Sequence, residues 1–157
     1  LRPSTFRTCR CECVLFPKAL RDKGNQHFAT TTVDRAGLEV RVASLERTLV
    51  DLLDRPDLGG GWEEIWRSLE SVEYFDLDLV VDYVKLLANR TTAAKVGYYL
   101  QQHAETLMVE DRHLNPLRQL RPKQPHYLER GKSGRLVRDW NIVVPESLAK
   151  KSWEEIA

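Results

Sequence analysis

The stretch Arg41–Leu69, RVASLERTLVDLLDRPDLGGGWEEIWRSL, decides how this chain is read. Its first residues close an alternating run: Leu38, Val40 and Val42 alternate with Glu39 and Arg41, the period of a half-buried strand. At Ser44 the period changes. A serine there can accept a hydrogen bond from a free amide of a first helical turn. Leu45, Thr48, Leu49 and Leu52 then recur at helical spacing, which predicts one apolar face. Pro56 and the run Gly59, Gly60, Gly61 break that helix. A second helix follows with Trp62, Ile65, Trp66 and Leu69 on one side, and Glu63 and Arg67 four apart on the other. Strand, cap, helix, break, helix is the order of an α+β domain.

Upstream, Phe28–Val33 reads as a strand, β-branched at Thr30, Thr31, Thr32 and Val33, and is expected to pair with Leu38–Ala43 through Arg35, Ala36 and Gly37, a hairpin. Lys18–Lys23 fits one helical turn ending at Gly24. Downstream, Asp76 or Asp78 opens a helix with Leu79, Val80, Tyr83, Val84 and Leu87 inward. Asn89 or Thr91 opens another, with the stripe Ala93, Val96, Gly97, Leu100, Ala104 and Leu107. Gly97 in that stripe predicts a close approach by a neighbouring backbone. Asp111–Leu120 is helical, with Pro116 kinking it or moving its start to Asn115. Tyr127–Leu128 and Leu136–Val144 read as a second strand pair around Gly131–Gly134, stopped by Pro145, and Ser152 begins a short tail with Trp153 to Ile156. The expected architecture is a central run of four to five helices packed with short antiparallel strand pairs from both ends. Leu49, Trp66, Val84 and Leu100 should lie in the core. Residues 1–13 read as an irregular amino-terminal extension and residues 14–157 as one domain.

Composition narrows the classes. No apolar run approaches the roughly 18 to 20 residues that span a bilayer. Three cysteines without a disulfide framework point to a reducing cytoplasm. The opening arginines exclude a signal peptide, and Leu1 in place of Met leads us to expect a longer protein upstream. The net charge of +1 conceals a segregation. Ser44–Ala88 carries eleven acidic residues against Arg47, Arg55, Arg67 and Lys85, whereas Arg112–Arg138 carries eight basic residues against Glu129 alone. A two-signed surface for a charged partner competes here with solvated faces that neutralise each other.

Chemical motifs are weak. Cys9, Cys11 and Cys13 alternate, but zinc ligands usually sit two to four apart, and a fourth such as His27 would be needed, so reduced thiols are the better reading. Gly131, Lys132 and Ser133 echo the end of a phosphate loop, yet His126 stands where its first glycine belongs, so a turn is expected. Glu63 and Glu64 occupy the helix end after Gly59–Gly61 and repel an anion there. Trp62, Trp66, Tyr98 and Tyr99 read as core. His103, His113 and His126 are isolated, and no nucleophile, base and orienting group can be named together, so no catalytic residue, metal ligand or cofactor site is expected. The candidate partner-binding residues are Arg118, Arg121, Lys123, Arg130, Lys132, Arg135 and Arg138, with His126 and Tyr127 interleaved.

Five segments taken together resemble a known family: Arg41–Leu53 (RVASLERTLVDLL), its continuation Asp54–Leu69, Asn89–His103 (NRTTAAKVGYYLQQH), Arg121–Gly131 (RPKQPHYLERG) and Gly134–Leu148 (GRLVRDWNIVVPESL). In that order the chain, from about Val14 to Ile156, is similar to the AbiEi family of antitoxins and transcriptional regulators. The S-x-E-R-T-L-x-D core at Ser44–Asp51 and W-N-I-V-V-P at Trp140–Pro145 are the most specific parts. The resemblance implies a non-enzymatic, cytoplasmic antitoxin of a phage-defence toxin–antitoxin module. Such a protein neutralises a nucleotidyltransferase-like toxin, by direct or functional antagonism, and represses its own operon. The family's amino-terminal winged helix, which binds operator DNA, has no counterpart before Val14; residues 1–13 and Pro116 also depart from the pattern. The alternatives are a nucleic-acid-binding accessory domain acting through the basic stretch, or an enzyme that modifies the toxin.

Overall fold

The computed structural model describes residues 4–6, 9–11 and 14–149 of the chain. The order is β1 (Ser4–Phe6), β2 (Cys9–Cys11), α1 (Lys18–Asp22), β3 (Thr30–Arg35), β4 (Leu38–Ala43), α2 (Leu45–Asp54), a 3₁₀ turn (Pro56–Gly59), α3 (Trp62–Glu70), α4 (Leu77–Leu87), α5 (Arg90–Gln102), α6 (Asp111–Leu120), β5 (His126–Tyr127), β6 (Arg135–Val137), β7 (Ile142–Val144) and α7 (Glu146–Ala149). The α+β class is as expected, with helices dominating. Among the described residues no helix is long and apolar enough to cross a membrane. The cysteine side chains and the tail from Ser152 lie outside the described residues. Within the segment 1–13, read from the sequence as irregular, β1 and β2 pair antiparallel.

Caps fall where the sequence places them. Ser44 accepts a hydrogen bond from the Arg47 amide at 3.3 Å, Asp76 accepts one from Leu79 at 3.0 Å, and Asn89 caps α5 through the Thr91 amide at 3.0 Å. Each satisfies amides that lack a partner in a first helical turn. The β3–β4 hairpin closes on a two-residue loop in which Ala36 and Gly37 both have positive φ, 54° and 82°, the twist that suits a tight hairpin. The hairpin stands away from the body, and Leu38, Val40 and Val42 share an exposed face.

The core is a single cluster at the meeting of α2, α3, α4 and α5, closed by α6 and β7. Leu49, Trp66, Val84 and Leu100 are all buried in it, as are the tryptophans and tyrosines expected there. Trp66 packs edge-on against Tyr99, with ring centroids 5.3 Å apart. Such a contact adds about 0.5–1.5 kcal/mol beyond area burial.

Several expectations are corrected. The buried face of α2 is turned by about one residue: Arg47, Leu49, Val50 and Leu53 are buried, while Leu45 is exposed. The reason is polar. The Arg47 guanidinium donates at 2.8 Å to the carbonyls of Gln26 and of Phe28, and lies 3.4 Å from Asp51. Its burial is thus compensated, which a hydrophobic periodicity does not register. On α4, Leu77 and Val81 are buried and Leu79 only half so. The predicted stripe of α5 understates that helix, because every residue from Thr92 to Leu100 is buried. The helix ends at Gln102, before Ala104 and Leu107.

Gly97 makes room for a side chain, not a backbone: a Cβ there would sit 2.1 Å from the Trp140 ring. Pro116 lies inside α6 without moving its start. The Glu110 amide donates to His113 Nδ1 at 3.0 Å, which sets the first turn ahead of the proline. Leu114 and Leu117 hold the helix to the core, tertiary packing overriding local propensity.

The largest correction lies at the C-terminal end. Leu136–Val144 is two strands, not one; Asn141 at φ 49° turns the chain between them. The sheet order is β5–β7–β6. β6 pairs antiparallel with β7, but β5 pairs parallel with β7 and is not paired with β6.

Candidate functional site

The small sheet positions the basic stretch. Ile142 and Val144 of β7 are buried, so the alternation of strand side chains turns Val143 outward. In register with Val143 stand Tyr127 of β5 and Leu136 of β6. These three form an apolar row across the outer face, with Tyr127 52% and Leu136 41% exposed. Trp140, fully buried against Gly97, anchors the sheet from behind. Its indole N–H donates to Gln101 Oε1. Asn141 Nδ2 donates to the Pro122 carbonyl at 2.9 Å, tying the entry of β5 to the β6–β7 turn.

The strand directions place the cations. β5 and β7 run parallel and β6 runs back. Lys123, just before β5, and Arg138, just after β6, therefore belong to one end of the sheet. Arg130, after β5, and Arg135, opening β6, belong to the other. The strands are two or three residues long, and at about 3.3 Å per residue the two ends lie close together. Four cations thus stand at the ends of the sheet that carries the row of Tyr127, Val143 and Leu136, with Arg135, in register with buried Val144, on the strand position that alternates away from the row.

The seven predicted residues divide by what they touch. Arg118 is paired with Asp111 at 3.0 Å and lies over the Trp140 ring at 5.7 Å. Arg121 donates to the Asp139 carbonyl. Both brace the β6–β7 turn against α6. Lys132 pairs with Glu129 at 3.0 Å. The side chains of Lys123, Arg130, Arg135 and Arg138 have no ion pair or hydrogen bond among the described residues. The acidic helices draw little on this stretch. Their carboxylates pair mostly within their own half, as in Arg67–Glu63 and Lys85–Asp82, and Arg112 reaches across to Asp78 at 3.3 Å. Mutual neutralisation therefore accounts for some members of the stretch and leaves these four.

A feature the periodicity did not single out lies beside this face. A cleft of about 650 Å³ opens between the end of α2, the 3₁₀ turn, the start of α5 and the segment after β5. Asp54, Trp62, Lys95, Tyr127 and Arg130 are among its walls. Lys95 is only 8% exposed. Its Nζ lies 3.5 Å from the Asp54 carbonyl oxygen and 5.2 Å from the centre of the Trp62 ring. No carboxylate of the described residues lies within 4.0 Å of it as an ion pair. Asp54 instead accepts hydrogen bonds from Asn89 and Thr92. Burial lowers the Lys95 pKa; Asp54 and Asp57 oppose that and Arg130 adds to it. The sequence held one signal for this site: Lys95 is the sole charged residue between Thr91 and Gln102.

The histidines are engaged separately. His27 contacts Arg41, His103 Nδ1 the Tyr99 carbonyl at 2.9 Å, and His126 the Thr91 hydroxyl at 2.7 Å. Among the described residues no group of three or more His, Cys, Asp or Glu side chains is placed to hold a metal ion. Lys132 sits in the turn expected around Gly131. Compared with protein-family models, curated proteins and solved structures, the chain matches none.

Proposed function

We propose that this chain is the antitoxin-side domain of a bacterial toxin–antitoxin module, acting by binding a nucleotidyltransferase-like toxin rather than by catalysis. Autoregulation of the operon would then depend on an operator-binding winged helix, as in the family the sequence resembles. One observation carries the reading: an apolar row of Tyr127, Val143 and Leu136, its two outer members exposed, on a sheet whose ends carry four cations with no side-chain partner among the described residues. An apolar centre with a charged rim is the pattern of a protein interface. The unpaired rim charges steer and select an acidic partner more than they add affinity.

A nucleic-acid surface would use the same cations, but sequence-tolerant stacking on single strands relies on successive aromatic side chains. This row offers Tyr127 alone, which favours a protein partner.

The test uses a nucleotidyltransferase-like toxin, which the proposal expects to be encoded beside this chain. Mixed without DNA, the two should form a stoichiometric complex on size-exclusion chromatography. The variant Lys123→Glu/Arg130→Glu/Arg135→Glu/Arg138→Glu should fold normally and fail to form it. A complex as tight as that of the unaltered chain would refute the surface. A toxin covalently changed by substoichiometric amounts of this chain would refute the non-enzymatic reading. Retention on DNA that weakens steeply with salt, in place of toxin binding, would favour the nucleic-acid alternative.

A further inference from the structure

We infer that the Lys95 cleft is a carboxylate-binding site that receives an acidic side chain of the bound partner, an inference that rests on the protein-docking reading above. A buried ammonium is expensive unless it is paired. Lys95 is buried, yet among the described residues its side chain makes one hydrogen bond, a long one to a backbone carbonyl. The carboxylate of Asp54, whose backbone carbonyl makes that contact, is itself engaged by Asn89 and Thr92. The fold thus holds a cation in a cleft near Asp54 and Asp57 but in direct ion pair with no carboxylate of the described residues, and the cleft is open to a partner from outside.

The surroundings select the anion. Trp62 provides an aromatic face for the stem and head of Lys95, and Arg130, which also belongs to the unpaired rim, offers a second cation at the wall. Asp54, Asp57 and Glu129 line the same cleft. Three acidic neighbours disfavour a multiply charged phosphate more than a singly charged carboxylate. Position argues for the source. Tyr127 is both a wall of the cleft and the β5 end of the apolar row. A partner seated on that row therefore has the cleft within reach of a Glu or Asp side chain, and an anchored side chain in a pocket is where interfaces concentrate their affinity.

The first arm of the test needs no partner. Sodium acetate is titrated into the isotope-labelled chain, with sodium chloride at equal ionic strength as control. The Lys95 Cε resonance and the Trp62 indole N–H should show a saturable shift with acetate, none with chloride, and none in Lys95→Met. No response to acetate, or a stronger one to inorganic phosphate, overturns the proposal. In the second arm, Lys95→Met should weaken toxin binding by about tenfold or more, a loss of about 1.4 kcal/mol; unchanged affinity overturns the assignment to a partner side chain. Lys123→Glu/Arg135→Glu/Arg138→Glu keeps Lys95 and Arg130 and should retain the acetate response. Full toxin binding by that variant would sink the docking surface while leaving the acetate result standing, so the two failures are separable.

Discussion

The segments 44–54 and 121–138 are both rich in charge, and they use it in opposite ways. In the first, every polar side chain is engaged by the fold. Ser44 caps α2, Glu46 accepts from the Asp76 amide, Arg47 binds two loop carbonyls, Thr48 donates to the Ser44 carbonyl, Asp51 accepts from Tyr83 at 2.8 Å, and Asp54 holds Asn89 and Thr92. In the second, the side chains of Lys123, Arg130, Arg135 and Arg138, in and around a three-stranded sheet, have no partner among the described residues. The S-x-E-R-T-L-x-D pattern is therefore a hydrogen-bonding hub of the architecture. A sequence pattern can be specific because it builds a fold, and the interaction surface can lie in a stretch with no sharp motif.

That contrast can be broken by substitution. Trp66→Ala in the helical body should cost about 3–5 kcal/mol through lost burial and a cavity; urea unfolding that moves by less than about 1 kcal/mol would mean α3 presents a different face. Gly97→Ala comes next. Its methyl would collide with the Trp140 ring, and overpacking of this kind costs about 1–3 kcal/mol. Because Trp140 carries the sheet, near-ultraviolet circular dichroism should change with it, and an unaltered spectrum would count against the α5–Trp140 contact.

Ser44→Ala should remove about 1 kcal/mol, with Ser44→Asp milder. Loss of toxin neutralisation without loss of stability would instead make Ser44 a functional residue. The fourfold charge reversal of Lys123, Arg130, Arg135 and Arg138 should change stability by no more than about 0.5 kcal/mol; a large loss would show those cations to be structural and dissolve the contrast.

Lys95 belongs to neither class, and pH separates it. Its folded pKa lies below its unfolded one, so between the two values the unfolded chain binds more protons and stability rises with pH. The stability of Lys95→Met relative to the unaltered chain should therefore be greatest below the folded Lys95 pKa and shrink towards about pH 10. A difference independent of pH would mean that burial does not oppose the Lys95 charge. The buried Tyr83 and Tyr99 work the other way: burial first, with Asp51 adding at Tyr83, raises their pKa values, and stability falls once unfolded tyrosines ionise above about pH 10. Comparing the two proteins at each pH cancels that shared effect.

Local chemistry by itself determined much of this protein. Ser44 is a capping residue ahead of an amphipathic run, the caps of α4 and α5 are narrowed to Asp76 or Asp78 and to Asn89 or Thr91, Ala36–Gly37 permits a tight turn, and Trp62, Ile65, Trp66 and Leu69 fall on one helical face, because each signal acts within a few residues of its effect. The charge segregation was equally legible, but which cations are free was not: Arg118 and Arg121 look like Lys123 and Arg138 in the sequence and differ only through Asp111 and the Asp139 carbonyl. Tertiary structure alone decided the rest. Arg47 turned α2 by finding carbonyls some twenty positions upstream. Trp140 found Gly97 across the domain. β5 passed over its neighbour in sequence to pair with β7, which creates both the outward row and, with α5 fully enclosed around Lys95, the cleft beside it. Periodicity reports which face of an element is apolar; it carries no information about which distant group will compensate a buried charge or complete a sheet.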